Sequence, residues 1–184
     1  MQVRQTELPG VVVIEPVIHR DGRGFFVEVH HAERYRAAGI PLPFVQDNHS
    51  GSSPRTLRGL HVQLGPPMGK LVRCVRGAIW DVAVDVRRGS PRFGRWVGVP
   101  LNADTLHQLW VPPGFLHGFC VTDGPAEVEY KCTALWNPQL EVAVRWSDPD
   151  LAIAWPEREP LLSPKDAVAP LLREVHDRLP SYDG

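Results

Sequence analysis

The chain has 184 residues, 43% of them hydrophobic and 22% charged, with 20 basic and 21 acidic side chains and a net charge of −1. That length and apolar content suit one domain spanning 1–184 with a sizeable core, and exclude a disordered or fibrous chain. The balanced charge excludes a general pull toward nucleic acid or an anionic membrane, and apolar runs this short and this interrupted by charge exclude a transmembrane helix. The opening MQVRQTELPG lacks the apolar stretch of a signal peptide, so a cytoplasmic location is expected. Cys74, Cys120 and Cys132 are odd in number and without paired spacing, which predicts buried thiols rather than a disulfide framework or a CxxC metal site.

In chain order, VVVIE (11–15) and GFFVEV (24–29) read as strands, with the turn DGRG between them. HHAERYRAAG (30–39) predicts a short helix stopped by Gly39. QDNHS (46–50) is a polar cluster that reads as a turn. Strands are then predicted at GLHVQL (59–64), KLVRCV (70–75), AIWDVAVDV (78–86), RWVGVPL (95–101) and HQLWV (107–111). HGFCVT (117–122), AEVEYKCTA (126–134) and VAVRW (142–146) complete the set. Within 78–86 the two-residue period puts Asp81 and Asp85 on one face with Ile79 and Ala83; such a face should meet water or a polar cavity. The tail, about 163–178, predicts helix, with Ser163 as N-cap, Pro164 in the first turn and Pro170 as a break. Many short strands punctuated by 19 Pro and 16 Gly, with few helices, imply an all-β sandwich or barrel with short peripheral helices, mainly C-terminal.

Two histidines stand out inside apolar strands. His117 follows a Pro-Gly turn in PPGFLHGF, a P-x-G-x-x-H pattern that resembles the second cupin motif. The first cupin motif supplies H-x-H; here the matching stretch is His61-Val62-Gln63, and glutamine is a poor ligand for a transition metal. No metal is therefore expected. His61 is instead suited to acid–base work, because an imidazole titrates near neutrality, given a carboxylate on its second nitrogen. Local pattern does not say which acidic residue provides it. Lys70, Arg58, Arg23, Glu28 and Tyr130 each read singly as ordinary strand or turn residues.

In combination these stretches are more specific. DGRGFFVE, FVQDNHSGS, LRGLHVQ, GKLVRCVRG, QLWVPPGFLHGF, AEVEYKCT and LSPKDAVAPLL occur in this order, and the chain resembles the dTDP-4-dehydrorhamnose 3,5-epimerase family over nearly its whole length. The resemblance implies a cupin-type jelly roll, a homodimer, a dTDP-4-keto-6-deoxyhexose substrate and no metal or organic cofactor. It implies His61 as catalytic base, Asp166 as the carboxylate behind it, Tyr130 as general acid and Lys70 as the cation near the sugar ketone. It places Arg23, Glu28, Gln46, Asp47, Asn48, Arg58, His117, Glu141 and Lys165 around the nucleotide sugar, with Trp136 standing where the family commonly has tyrosine. Three alternatives accompany it: an epimerase acting at C3 or C5 alone, a cupin sugar-binding module without catalysis, and a metal-dependent cupin enzyme. One puzzle follows from position alone. Arg58 and His61 are three apart, so a regular strand points them to opposite faces, yet both are assigned to one site.

Overall fold

The computed structural model describes residues 1–40 and 43–182. Its strands are β1 (Gln2–Gln5), β2 (Val12–Glu15), β3 (Ile18–Asp21), β4 (Gly24–Val27), β5 (Gln46–Ser52), β6 (Leu57–Gln63), β7 (Lys70–Asp85), β8 (Trp96–Asn102), β9 (Gln108–Val111), β10 (Phe115–Cys132) and β11 (Glu141–Ala143). The helices are α1 (Ala32–Ala37), α2 (Pro164–Ala167) and α3 (Leu172–Val175). Ser163 caps α2 by accepting the Asp166 N–H, and Pro164 sits in its first turn. Pro170 lies between α2 and α3, where its missing N–H is least costly.

One curved antiparallel sheet runs in the order β1-β2-β9-β7-β10-β6-β11, with β8 also on β7 and β5 also on β10. Two expected strand pairs are each continuous. Residues 70–75 and 78–86 form the single strand β7, and 117–122 and 126–134 form β10. The two long strands lie side by side and bend together, so each serves two halves of the barrel. The first half of β7 pairs with β9 and the second with β8; β10 pairs with β6 and then with β5. Gly77 allows the bend. It has φ +69°, and a Cβ there would meet the carbonyl oxygen of Asp123 at 2.5 Å. QDNHS is not a turn but the first five residues of β5, whose polar side chains alternate between half-buried and exposed. The expected strand at 142–146 ends at Ala143, and β1 and β3 are additions.

The sheet encloses an apolar cluster that includes Val72, Ile79, Ala83, Leu109, Phe119 and Val128. Its outer face is covered twice. α1 lays Tyr35 against Val12, Ile14 and Trp110 at one end. The tail lays Leu172, Val175 and Leu179 against Val82, Val84 and Leu116 at the other. The expected helical tail is therefore a cover for the sheet, and it delivers α2 to the mouth of the barrel. All three cysteines are free and buried.

Candidate active site

β6 brings His61 to the barrel interior through an irregularity. Its pairing with β10 matches His61 to His117 and Arg58 to Phe119, so three steps along β6 oppose two along β10. The extra residue is a bulge, and Gly59 sits in it with φ +120°. A Cβ on Gly59 would lie 2.6 Å from the Gly118 Cα, so only glycine fits between these strands. The bulge changes the parity of the strand and turns Arg58 and His61 to the same cavity, which resolves the conflict in their spacing.

That cavity holds about 430 Å³ and is lined by Arg58, His61, Lys70, His117, Tyr130 and Asp166 among others. A second space of about 210 Å³ shares His61, Lys70 and Tyr130 with it and extends to Gln46, Asn48, Cys132, Trp136 and Glu141. His61 Nε2 lies 2.6 Å from Asp166 Oδ1. Asp166 is 3% exposed, and burial works against its charge. Hydrogen bonds from His61, Ser163 and the Gly59 N–H outweigh that and hold the carboxyl below the usual carboxylate range. An ionised Asp166 accepts the Nε2 proton, which leaves Nδ1 of a neutral imidazole as the free base. Nδ1 is 4.0 Å from Glu141 Oε1.

Lys70 lies at the start of β7, half-buried on the wall of both spaces. Burial lowers its pKa, while the nearby Cys132 and Asp81 act the other way. Among the described residues it forms no ion pair within the chain, so a substrate oxyanion would be its first close counter-charge. Tyr130 comes from the second half of β10, and burial pushes its hydroxyl up from the ordinary tyrosine value. It therefore keeps its proton at neutral pH. The arrangement combines a carboxylate-backed imidazole, a protonated phenol and a half-buried lysine, which are the parts needed to move protons beside a carbonyl.

The roof is a linked set. Trp136 donates from Nε1 to Glu141 at 2.8 Å and from its backbone N–H to Gln46 at 2.9 Å. Lys165 pairs with Glu141. Gln63, at the place of the missing metal ligand, instead ties down the loop that carries Trp136. It donates to the Leu135 carbonyl at 3.0 Å and accepts the Asn137 N–H at 2.8 Å. Among the described residues no group of three or more His, Cys, Asp or Glu side chains converges as a metal site.

The model of the dTDP-4-dehydrorhamnose 3,5-epimerase family matches residues 5–174. The chain belongs to this family. A dTDP-4-dehydrorhamnose 3,5-epimerase of Shigella flexneri is 50% identical over 168 residues, covering 90% of this chain and 93% of that protein. One of Neisseria gonorrhoeae is 50% identical over 167 residues; the match takes in 90% of this chain but 51% of that longer protein. Among solved structures, a dTDP-6-deoxy-D-glucose-3,5-epimerase of Legionella pneumophila, in complex with dTDP-4-keto-L-rhamnose, has a TM-score of 0.97 at 46% identity. It covers 100% of this chain and 99% of that one. The fold is thus the cupin-type jelly roll of the epimerase family.

Against the family's expected site, the chain brings together His61, Asp166, Lys70, Tyr130, Arg58, His117, Gln46, Asn48, Trp136 and Glu141, with Lys165 joined through Glu141. Three residues stand apart from these two spaces. Asp47 alternates to the other side of β5 and pairs with Lys131. Glu28 pairs with Arg34. Arg23 sits on the β3–β4 turn with its side chain 91% exposed, paired with Asp21. Sequence reasoning passed over Ser163 as a site residue, although its hydroxyl both caps α2 and braces Asp166. It also left Cys132 as core, while its sulfur accepts a hydrogen bond from Asn48 at 3.4 Å on the cavity wall. The capping signal at Ser163 was visible; nothing in the local pattern marked Cys132.

Proposed function

We propose that this chain epimerises dTDP-4-keto-6-deoxy-D-glucose at C3 and C5 to give dTDP-4-keto-L-rhamnose. The observation that carries the reading is the His61–Asp166 pair opening on the same cavity as Lys70 and Tyr130. The C4 ketone acidifies the hydrogens on C3 and C5. His61 Nδ1 takes one of them, the electron pair moves into the carbonyl, and Lys70 stabilises the resulting enolate oxygen. Tyr130 returns a proton to carbon from the other face, which inverts the centre. Asp166 holds the imidazole in orientation and favours its cation once the proton is taken. A positioned base or acid is typically worth about 10²–10⁴ in rate. Arg58 and Lys165 offer guanidinium and ammonium donors to the diphosphate.

The working form is a homodimer of single-domain chains in the cytoplasm. On the β3–β4 hairpin, Phe25 and Phe26 are 57% and 69% exposed beside Arg23, and a second copy would cover this apolar pair. Among the described residues no helix is long and apolar enough to cross a membrane. The decisive experiment is turnover of dTDP-4-keto-6-deoxyglucose in deuterated water with NMR location of the label. Deuterium at both C3 and C5 is expected. Label at one centre alone means a mono-epimerase, and none at either removes the catalytic reading.

A further inference from the structure

A second imidazole–carboxylate pair lies beside the first. Asp81 sits on the interior face of β7 between Ile79 and Ala83 and is 0% exposed. Its Oδ1 is 2.8 Å from His117 Nε2, while Oδ2 is sealed without a partner among the described residues. Its surroundings are the apolar cluster of Ile79, Ala83 and Phe119. A stable core has no use for a carboxylate with half its hydrogen-bonding capacity unmet, so the residue calls for another reason. His117 supplies one. It lines the cavity, and it is the direct cross-strand partner of His61. The two rings therefore stand on neighbouring strands, each with a buried carboxylate behind Nε2. Among the described residues Nδ1 of His117 has no hydrogen bond within the chain, and it is not among the sealed atoms.

We propose that Asp81 is a positioning residue of the epimerase, holding His117 by Nε2 so that Nδ1 faces the cavity as the acceptor for a hydroxyl of the sugar ring. It rests on the reading of this cavity as the keto-sugar site. An imidazole donates through one nitrogen and accepts through the other, so a carboxylate at Nε2 selects the tautomer with an accepting Nδ1. That gives the sugar an orienting contact next to the ring that removes its proton. The charge of Asp81 has a second use, since it helps Lys70 keep its proton against burial.

The test combines imidazole ¹⁵N NMR with kinetics on wild type, Asp81→Asn and Asp81→Ala. Wild-type His117 is expected to carry its proton on Nε2, and the alanine variant to show a mixture of tautomers. In the alanine variant kcat should fall about 10–100-fold while affinity for dTDP, which lacks the sugar, stays within about twofold. Asparagine keeps an acceptor oxygen and should recover most of that loss. Should the alanine variant not fold, Asp81→Leu, of similar volume, takes its place. A wild-type His117 protonated on Nδ1 overturns the inference, as does an unchanged kcat. A loss of dTDP affinity in step with kcat also overturns it, because it means a structural role. A wild-type chain inactive on the keto sugar would instead overturn the proposed function, so the two failures are distinguishable.

Discussion

Asp166 joins tail to barrel through hydrogen bonds with His61 at 2.6 Å and the Gly59 N–H at 3.5 Å, and its removal separates chemistry from binding. Asp166→Asn keeps the shape and an acceptor oxygen but removes the negative charge that favours the His61 imidazolium once the proton is taken. Turnover should fall by roughly 10²–10⁴ with dTDP binding retained, as measured by steady-state kinetics beside calorimetry. The same bond has a pH signature. The folded carboxyl lies below the ordinary aspartate value of 3.8, so the pair's stabilisation is complete above that value and is lost as pH falls through the folded one. The difference in thermal midpoint between wild type and Asp166→Asn should be constant near neutrality and shrink on acidification below pH 3.8. A difference that grew in acid would contradict the pairing. Tyr130→Phe should impair product formation more than the first hydrogen–deuterium exchange, because the phenol is needed only to return a proton; equal losses would remove its acid role. Lys70 and Tyr130 were legible only through their neighbours in the family-like blocks. Alone, a lysine at a strand start reads as solvated; here β7 runs between β9 and β10, and Lys70 is half-buried on the cavity wall.

Among the elements, β6 is where the fold most directly sets the chemistry. The alternation of a regular strand would place Arg58 and His61 on opposite faces, and only the bulge at Gly59 reconciles them. Gly59→Ala should destabilise the chain by on the order of 3 kcal/mol, from positive-φ strain plus a clash with β10 backbone. Urea unfolding measures this, and a loss under about 1 kcal/mol would mean that the strands separate easily there. The glycine was readable as punctuation, but its function as a parity switch depends on Gly118 across the pair, which local pattern does not contain. β5 was missed for a related reason. Gln46–Ser52 has no apolar alternation, and its strand form comes from pairing with β10 and from a polar cavity that accepts Gln46 and Asn48. The N-cap at Ser163 and the break at Pro170 were legible because caps and prolines act within a few residues.

For the whole molecule, the all-β character and C-terminal helices followed from composition and period, but closure of the barrel did not. It depends on β7 and β10 bending together, a feature shared by two segments whose paired residues are 30 to 62 positions apart. The tail is integral to that closure. Burial of Leu172, Val175 and Leu179 is worth about 1.5–3 kcal/mol each, together comparable to the roughly 5–15 kcal/mol that holds a typical domain. A chain ended before Ser163 should thus lose cooperative unfolding in a thermal scan and all proton exchange into the keto sugar. Chelator treatment of the intact chain should leave turnover unchanged, and metal-dependent recovery would favour another chemistry. The tail also sets an order in time. Translation delivers His61 early and Asp166 some hundred residues later. A nascent polypeptide on the ribosome therefore presents its imidazole without the counter-group, and acid–base competence arrives only once Asp166 has been added.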